Sequence, residues 1–151
     1  MLAIRYQPKP EEDVLREKLE LTNNVRQVPE LGNFVKSLST RLGIERDQVD
    51  KIRLAVEEAV VNVMSYAYPP QTKGEISVEA RSDGKVLRFI ITDVGVAFDP
   101  TQVLRADTTL PIEERPIGGL GILLMREMMD TINYERVNGK NILTLIKIIN
   151  H

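Results

Sequence analysis

Residues 54–68 read Leu54-Ala-Val-Glu-Glu-Ala-Val-Val-Asn-Val-Met-Ser-Tyr-Ala-Tyr68, an almost wholly apolar helical run interrupted by Glu57, Glu58, Asn62 and Ser65. A helix that is apolar nearly all round is buried or lines a site. Glu58 and Asn62 stand four residues apart, one above the other on one face, and burying a carboxylate and an amide there is unfavourable unless something satisfies both. A bound metal or polar ligand would do so; a simple acid–amide hydrogen bond on a helix surface is the plainer alternative. Glu57 lies well round the helix from Asn62 and four residues after Arg53, which predicts an exposed ion pair and no function.

Upstream of this run, Asp47 is placed to cap the helix and Asp50 to sit in its first turn, with Val49, Ile52, Val56, Ala59, Val60 and Val63 as the core-facing stripe. Tyr68-Pro-Pro70 ends it, because the residue before proline is pushed out of the helical region. An earlier helix starts at Val28, with Leu31, Phe34, Leu38 and Leu42 at helical spacing, Pro29 in the first turn and Gly43 as terminator. Before it, Lys18-Leu-Glu-Leu-Thr22 alternates as a half-buried strand, and Met1 to Val14, with Pro8, Pro10 and Glu11-Glu-Asp13, suits an extended leader.

Downstream, Ile76, Val78 and Ala80 alternate, Asp83-Gly84 turns, and Leu87, Phe89 and Ile91 resume the alternation, which predicts two antiparallel strands. The second runs into Thr92-Asp-Val-Gly-Val-Ala-Phe-Asp-Pro100, and a polar stretch then continues to Pro116. A loop of that length within a compact domain reads as a lid or binding loop. Gly118-Gly-Leu-Gly121 opens an apolar helix whose methionines, Met125, Met128 and Met129, read as core filler. Ile132 to Val137 and Ile142 to Ile149 read as strands joined at Asn138-Gly139. The expected fold is α+β: a two-layer sandwich of a mixed, mostly antiparallel sheet with helices on one face and a long lid.

Composition narrows the chemistry. The 151 residues, 42% hydrophobic and 28% charged, suit one domain with a proper core, and a formal net charge of −2 argues against a protein that grips nucleic-acid backbone. Without cysteine there is no disulfide framework, thiolate metal site or cysteine nucleophile. The single histidine, His151, is the last residue and reads as a frayed terminus, which leaves no internal histidine for a triad or zinc site. There is no basic segment followed by an apolar core at the start, and no apolar run of membrane-spanning length, so a cytoplasmic protein is expected.

Three features in fixed order, an acid and asparagine on a helix, Asp-x-Gly after a strand, and a long loop ending in Gly-x-Gly on a helix, resemble the ATP-binding fold shared by gyrase, MutL and histidine kinases. Within that class the chain is similar to the anti-sigma factor serine/threonine kinases, from about Glu17 to Ile149, on Glu58-Ala59 with Asn62, Asp93 to Pro100, Gly119-Leu-Gly121 and Met129-Asp130. The resemblance implies a leader over 1–16 and an ATPase domain over 17–151. It implies Glu58 as general base, Asn62 as ligand to an Mg²⁺ bridging the ATP phosphates, Asp93 accepting from the adenine amino group and Gly95 admitting the base. Gly119 and Gly121 would supply amides to the phosphates, and Arg115 would neutralise phosphate charge. It further implies a sigma factor and an anti-sigma antagonist as partners, and a homodimer. A non-catalytic ATP-binding module acting by partner capture is the alternative. Three positions depart from the pattern: Ala97 replaces a second glycine, Tyr66 stands where relatives carry histidine, and the threonine near adenine falls on Asn141 or Ile142.

Overall fold

A computed structural model describes residues 13–102 and 119–149. Residues 1–12 of the leader, most of the lid including Arg115, and His151 lie outside the described residues. The chain runs β1 (Leu15–Thr22), α1 (Val28–Arg41), α2 (Arg46–Tyr66), β2 (Glu75–Ser82), β3 (Val86–Asp93), α3 (Gly119–Met128), β4 (Thr131–Val137) and β5 (Lys140–Ile148), with short 3-10 turns at Val25–Gln27 and Pro100–Gln102. The strands form one sheet in the order β1-β2-β3-β5-β4, and every pairing is antiparallel, so the mixed, mostly antiparallel sheet expected from sequence resolves to an antiparallel one.

Register decides which residues enter the core. One cross-strand row joins Leu19, Val78, Ile91 and Leu143, and the next joins Ala80, Phe89 and Leu145. These pack with Leu31, Val35 and Leu38 of α1 and with Ile52, Val56, Ala59 and Val60 of α2 in a single apolar cluster. A third row, Leu21–Ile76–Asp93–Asn141, begins apolar and ends polar on the same inward face. Because side chains alternate with a period of two, a slip of one residue would carry Asp93 and Asn141 to the opposite face.

The helices end for identifiable reasons. Gln27 Oε1 accepts from the Thr22 amide at 2.7 Å, tying β1 to the start of α1. Gly43, at φ 76°, takes the left-handed conformation that stops α1. The cap of α2 differs from expectation: Glu45 occupies the N-cap without a side-chain bond, and Asp47 lies inside the first turn, where its charge still complements the helix dipole. Asp50 falls just beyond that turn and faces Arg53 at 4.0 Å. The expected stripe of α2 is buried throughout, and Met125 of α3 and Met129 just beyond it are core residues.

The pair of Arg53 and Glu57 forms with distances of 3.1 and 3.2 Å, but it is not fully exposed as the spacing suggested. It lies in the seam between α1 and α2, where a Cβ on Gly32 would stand 2.6 Å from Glu57 Oε1. Gly32 thus leaves room for the ion pair.

At the last hairpin, Asn138 and Gly139 both have positive φ, 49° and 77°, as a two-residue type I′ turn requires. A Cβ on Gly139 would meet nothing within 4 Å, so Gly139→Ala tests backbone strain alone. We expect a loss of about 1 kcal/mol, read as a lower urea midpoint at unchanged slope.

Candidate nucleotide site

The polar residues of α2 sit differently from their neighbours. Glu58 is half-buried and takes no hydrogen bond or ion pair from any described residue. Asn62, one turn on, is 3% exposed, and its Nδ2 is buried without a partner. An orphaned buried donor costs about 1–3 kcal/mol. The helix-surface alternative, an acid simply bonded to its amide, is therefore not what forms.

At the end of α2 the chain meets the segment after β3. Three successive amides are fixed there, two by the turn that ends α2 and one by the end of β3. Tyr68 Oη, which donates to the Glu75 carbonyl at 2.5 Å, accepts from the Val94 amide at 3.1 Å. Asp93 Oδ1 accepts from the Gly95 amide at 2.9 Å. The Ala67 carbonyl accepts from the Val96 amide at 2.7 Å. Gly95 is needed for this approach, since a Cβ there would lie 2.2 Å from the Ala67 oxygen. The missing side chain of Gly95 thus admits the end of α2.

Asp93 is 2% exposed at the end of β3, directly opposite Asn141 at the start of β5. Burial pushes its carboxyl above the usual aspartate range, opposed by the hydrogen bond from Asn141, the Gly95 amide and the charge of Arg136. Both bonds reach one oxygen, Oδ1: the Gly95 amide at 2.9 Å and Asn141 Nδ2 at 2.8 Å. No described residue donates to Oδ2. Arg136 Nη1 meanwhile donates to the Gly95 carbonyl at 2.8 Å, closing the loop from the side of β4.

Of the two residues in question, Asn141 faces inward beside Asp93, while Ile142 pairs with Thr92 on the other face. Strand parity carried this information: position 141 shares the parity of the buried Leu143 and Leu145. Tyr66 lies with its ring 5.1 Å from that of Phe98, tilted by 30°. Gly119 is the first residue of α3 and Gly121 falls in its first turn, where a helix leaves its amides without intrahelical partners. Arg126 Nη2 donates to the Thr101 carbonyl at 2.7 Å and links α3 to the base of the lid. A groove of about 830 Å³ is lined by Tyr68, Lys73, Gly74, Val94, Val96 and Arg136 among others, but Glu58, Asn62 and Asp93 do not line it.

An acid without a described partner and an orphaned amide on α2, a desolvated aspartate with one open oxygen at the end of β3, and a glycine-bearing helix start are features suited to a polar ligand. The chain belongs to the histidine kinase-like ATPase domain family, whose match spans residues 21–147. It is 34% identical over 94 residues to the serine/threonine-protein kinase BtrW of Bordetella bronchiseptica, covering 62% of this chain and 66% of that one. It is 29% identical over 110 residues to the serine-protein kinase RsbW of Bacillus thuringiensis, covering 70% and 68%. The crystal structure of the RsbU and RsbW domains of a Mycobacterium tuberculosis protein shares the fold, with a TM-score of 0.64 at 15% identity over 91% of this chain and 33% of that one. The chain thus spans about two thirds of the length of the curated relatives. Among the described residues no helix is long and apolar enough to cross a membrane.

Two outcomes follow from this geometry. Gly95→Ala should destabilise by about 1–3 kcal/mol in thermal or urea unfolding, because the obstacle is backbone and has no rotamer to yield. Asp93 holds its proton to higher pH when folded than its ordinary value of 3.8, so stability falls as pH rises from that value through the folded one, then levels. Asp93→Asn should flatten that part of the stability–pH curve and leave the protein at least as stable at neutral pH.

Proposed function

We propose that this chain is an ATP-dependent serine/threonine protein kinase that acts as an anti-sigma factor, sequestering a sigma factor and phosphorylating its antagonist. The family supports ATP as ligand, and the names of the relatives, serine-protein kinase RsbW and serine/threonine-protein kinase BtrW, support the reaction. The observation that carries the catalytic reading is Glu58, a half-buried carboxylate with no partner among the described residues, one helical turn from Asn62.

In this reading the acceptor hydroxyl oxygen attacks the γ-phosphorus, its proton passes to Glu58, and the bond from the γ-phosphorus to the β,γ-bridging oxygen breaks to leave ADP. Asn62 would offer an Mg²⁺ ion its side-chain oxygen, the hard ligand that Mg²⁺ prefers, while its buried Nδ2, a donor without a partner, would be met by an acceptor on the nucleotide. No group of three or more acids or histidines converges among the described residues, so the other ligands would be phosphate oxygens and water. Such an ion would neutralise charge on the transferring phosphoryl group. Gly119 and Gly121 place amides and the positive end of α3 at the phosphates, Arg115 adds a charge from the lid, and Asp93 reads the amino group of adenine. A homodimer in the cytoplasm, with 1–16 as a leader to the 17–151 domain, completes the proposal.

The test is transfer of label from γ-³²P-ATP to a purified antagonist, beside a direct titration of Mg-ATP. Glu58→Gln should lower transfer by about 10²–10⁴-fold with ATP affinity nearly unchanged. Asn62→Ala should weaken Mg-ATP binding itself. Transfer undiminished in Glu58→Gln would remove the base, and ATP binding without transfer to any antagonist would leave partner capture as the function.

A further inference from the structure

Asn141 is 3% exposed, and all four of its hydrogen-bonding capacities are used. Its Nδ2 donates to Asp93 Oδ1 at 2.8 Å and to the Val96 carbonyl at 2.7 Å. Its Oδ1 accepts from the Phe98 amide at 3.3 Å and from Tyr134 Oη at 2.5 Å. An amide has two donors and, in practice, two acceptor positions, so nothing remains for a ligand. The orientation follows from the neighbours: a carboxylate and a carbonyl require the NH₂ end, and a backbone amide requires the oxygen.

We propose that Asn141 is the positioning residue of the base-recognition subsite, holding Asp93 and the Val94–Phe98 loop so that Asp93 Oδ2 alone is left to accept from the ligand's exocyclic amino group. This rests on the nucleotide-binding reading above. The side chain joins three structural parts at once: the end of β3, the loop beyond it, and β4 through Tyr134. Without the Nδ2 bond, Asp93 Oδ1 keeps only the Gly95 amide, and the carboxylate is free to rotate between its two oxygens. A saturated residue acts on the ligand only through that carboxylate, which distinguishes it from a direct contact.

The informative variant is Asn141→Asp, nearly the same shape with a donor exchanged for an acid. Two carboxylates at this separation share one proton, and losing it removes the bond and sets like charges together. The titratable groups nearest the pair are Arg136 and Tyr134 of β4 and Tyr68 beyond α2; Asp99 acts on Tyr134 and Glu75 on Tyr68. Mg-ATP and Mg-GTP affinities are measured by calorimetry from about pH 6 to pH 9, the range over which a coupled buried pair titrates. The expected result is a nearly flat wild-type profile, and in Asn141→Asp a loss of ATP affinity of about tenfold to a hundredfold toward high pH, the worth of one charged hydrogen bond, with a narrowed preference for ATP over GTP.

A folded Asn141→Asp protein with wild-type affinity and base preference at every pH overturns the proposal and leaves the nucleotide reading intact. Absence of ATP binding by the wild type overturns both. Should Asn141→Asp not fold, Tyr134→Phe decides: it removes one bond to Asn141 and is expected to weaken ATP binding a few-fold, about the worth of a neutral hydrogen bond, so unchanged affinity overturns the proposal.

Discussion

A carboxylate kept out of water governs this site. Asp93 ends the central strand β3 at 2% exposure, where ionisation is disfavoured by burial, and it is tolerated because Asn141, the Gly95 amide and the field of Arg136 each oppose that penalty. These groups come from β5, the loop after β3, and β4. The five-stranded register is therefore also the frame of the candidate site. The row Leu21–Ile76–Asp93–Asn141 is core at one end and site at the other, so packing the apolar half fixes the polar half.

The segment after β3 gains its rigidity the same way. Val94, Gly95 and Val96 spend their amides on Tyr68, Asp93 and Ala67, and Phe98 spends its amide on Asn141. Irregular backbone without a ladder partner is ordinarily the mobile part of a domain, but the donors here are bound to the turn after α2, to the end of β3 and to the start of β5. A site held in this manner has its geometry before the ligand arrives, which reduces the ordering that binding must impose.

Much of this was legible in the sequence because it is local. The helix periods, the two hairpin turns and the parity of Ile76, Val78, Leu87 and Phe89 all encode the buried face within a few residues. What escaped is nonlocal or depends on fine geometry. The reason for Gly95 is the Ala67 carbonyl, which is 28 positions away in sequence yet in contact in space. The share of Asn141 in the site depends on pairing with β3 across 48 positions, although its own parity within β5 already pointed inward. The N-cap of α2 was misplaced by two residues because Asp47 has the right chemistry for a cap and, in the first turn, a dipole to complement as well. Glu57 was judged from its own helix alone, which concealed the α1 face that half-buries it.

Within α2, two adjacent glutamates show how the helix separates structure from chemistry. Glu57 is paired with Arg53 and fitted against Gly32, so its charge is compensated inside the protein. Glu58 has no described partner, and one turn later Asn62 leaves a buried donor without an acceptor. If α2 served packing alone, this polar pair would lower stability with nothing in return, and apolar residues of similar size would do better. A ligand that brings an acceptor to Asn62 and a hydrogen-bond donor to Glu58 would supply both missing partners. In the proposed function the unsatisfied groups would favour the bound state over the free one, and the stability missing from the empty protein would be recovered as affinity.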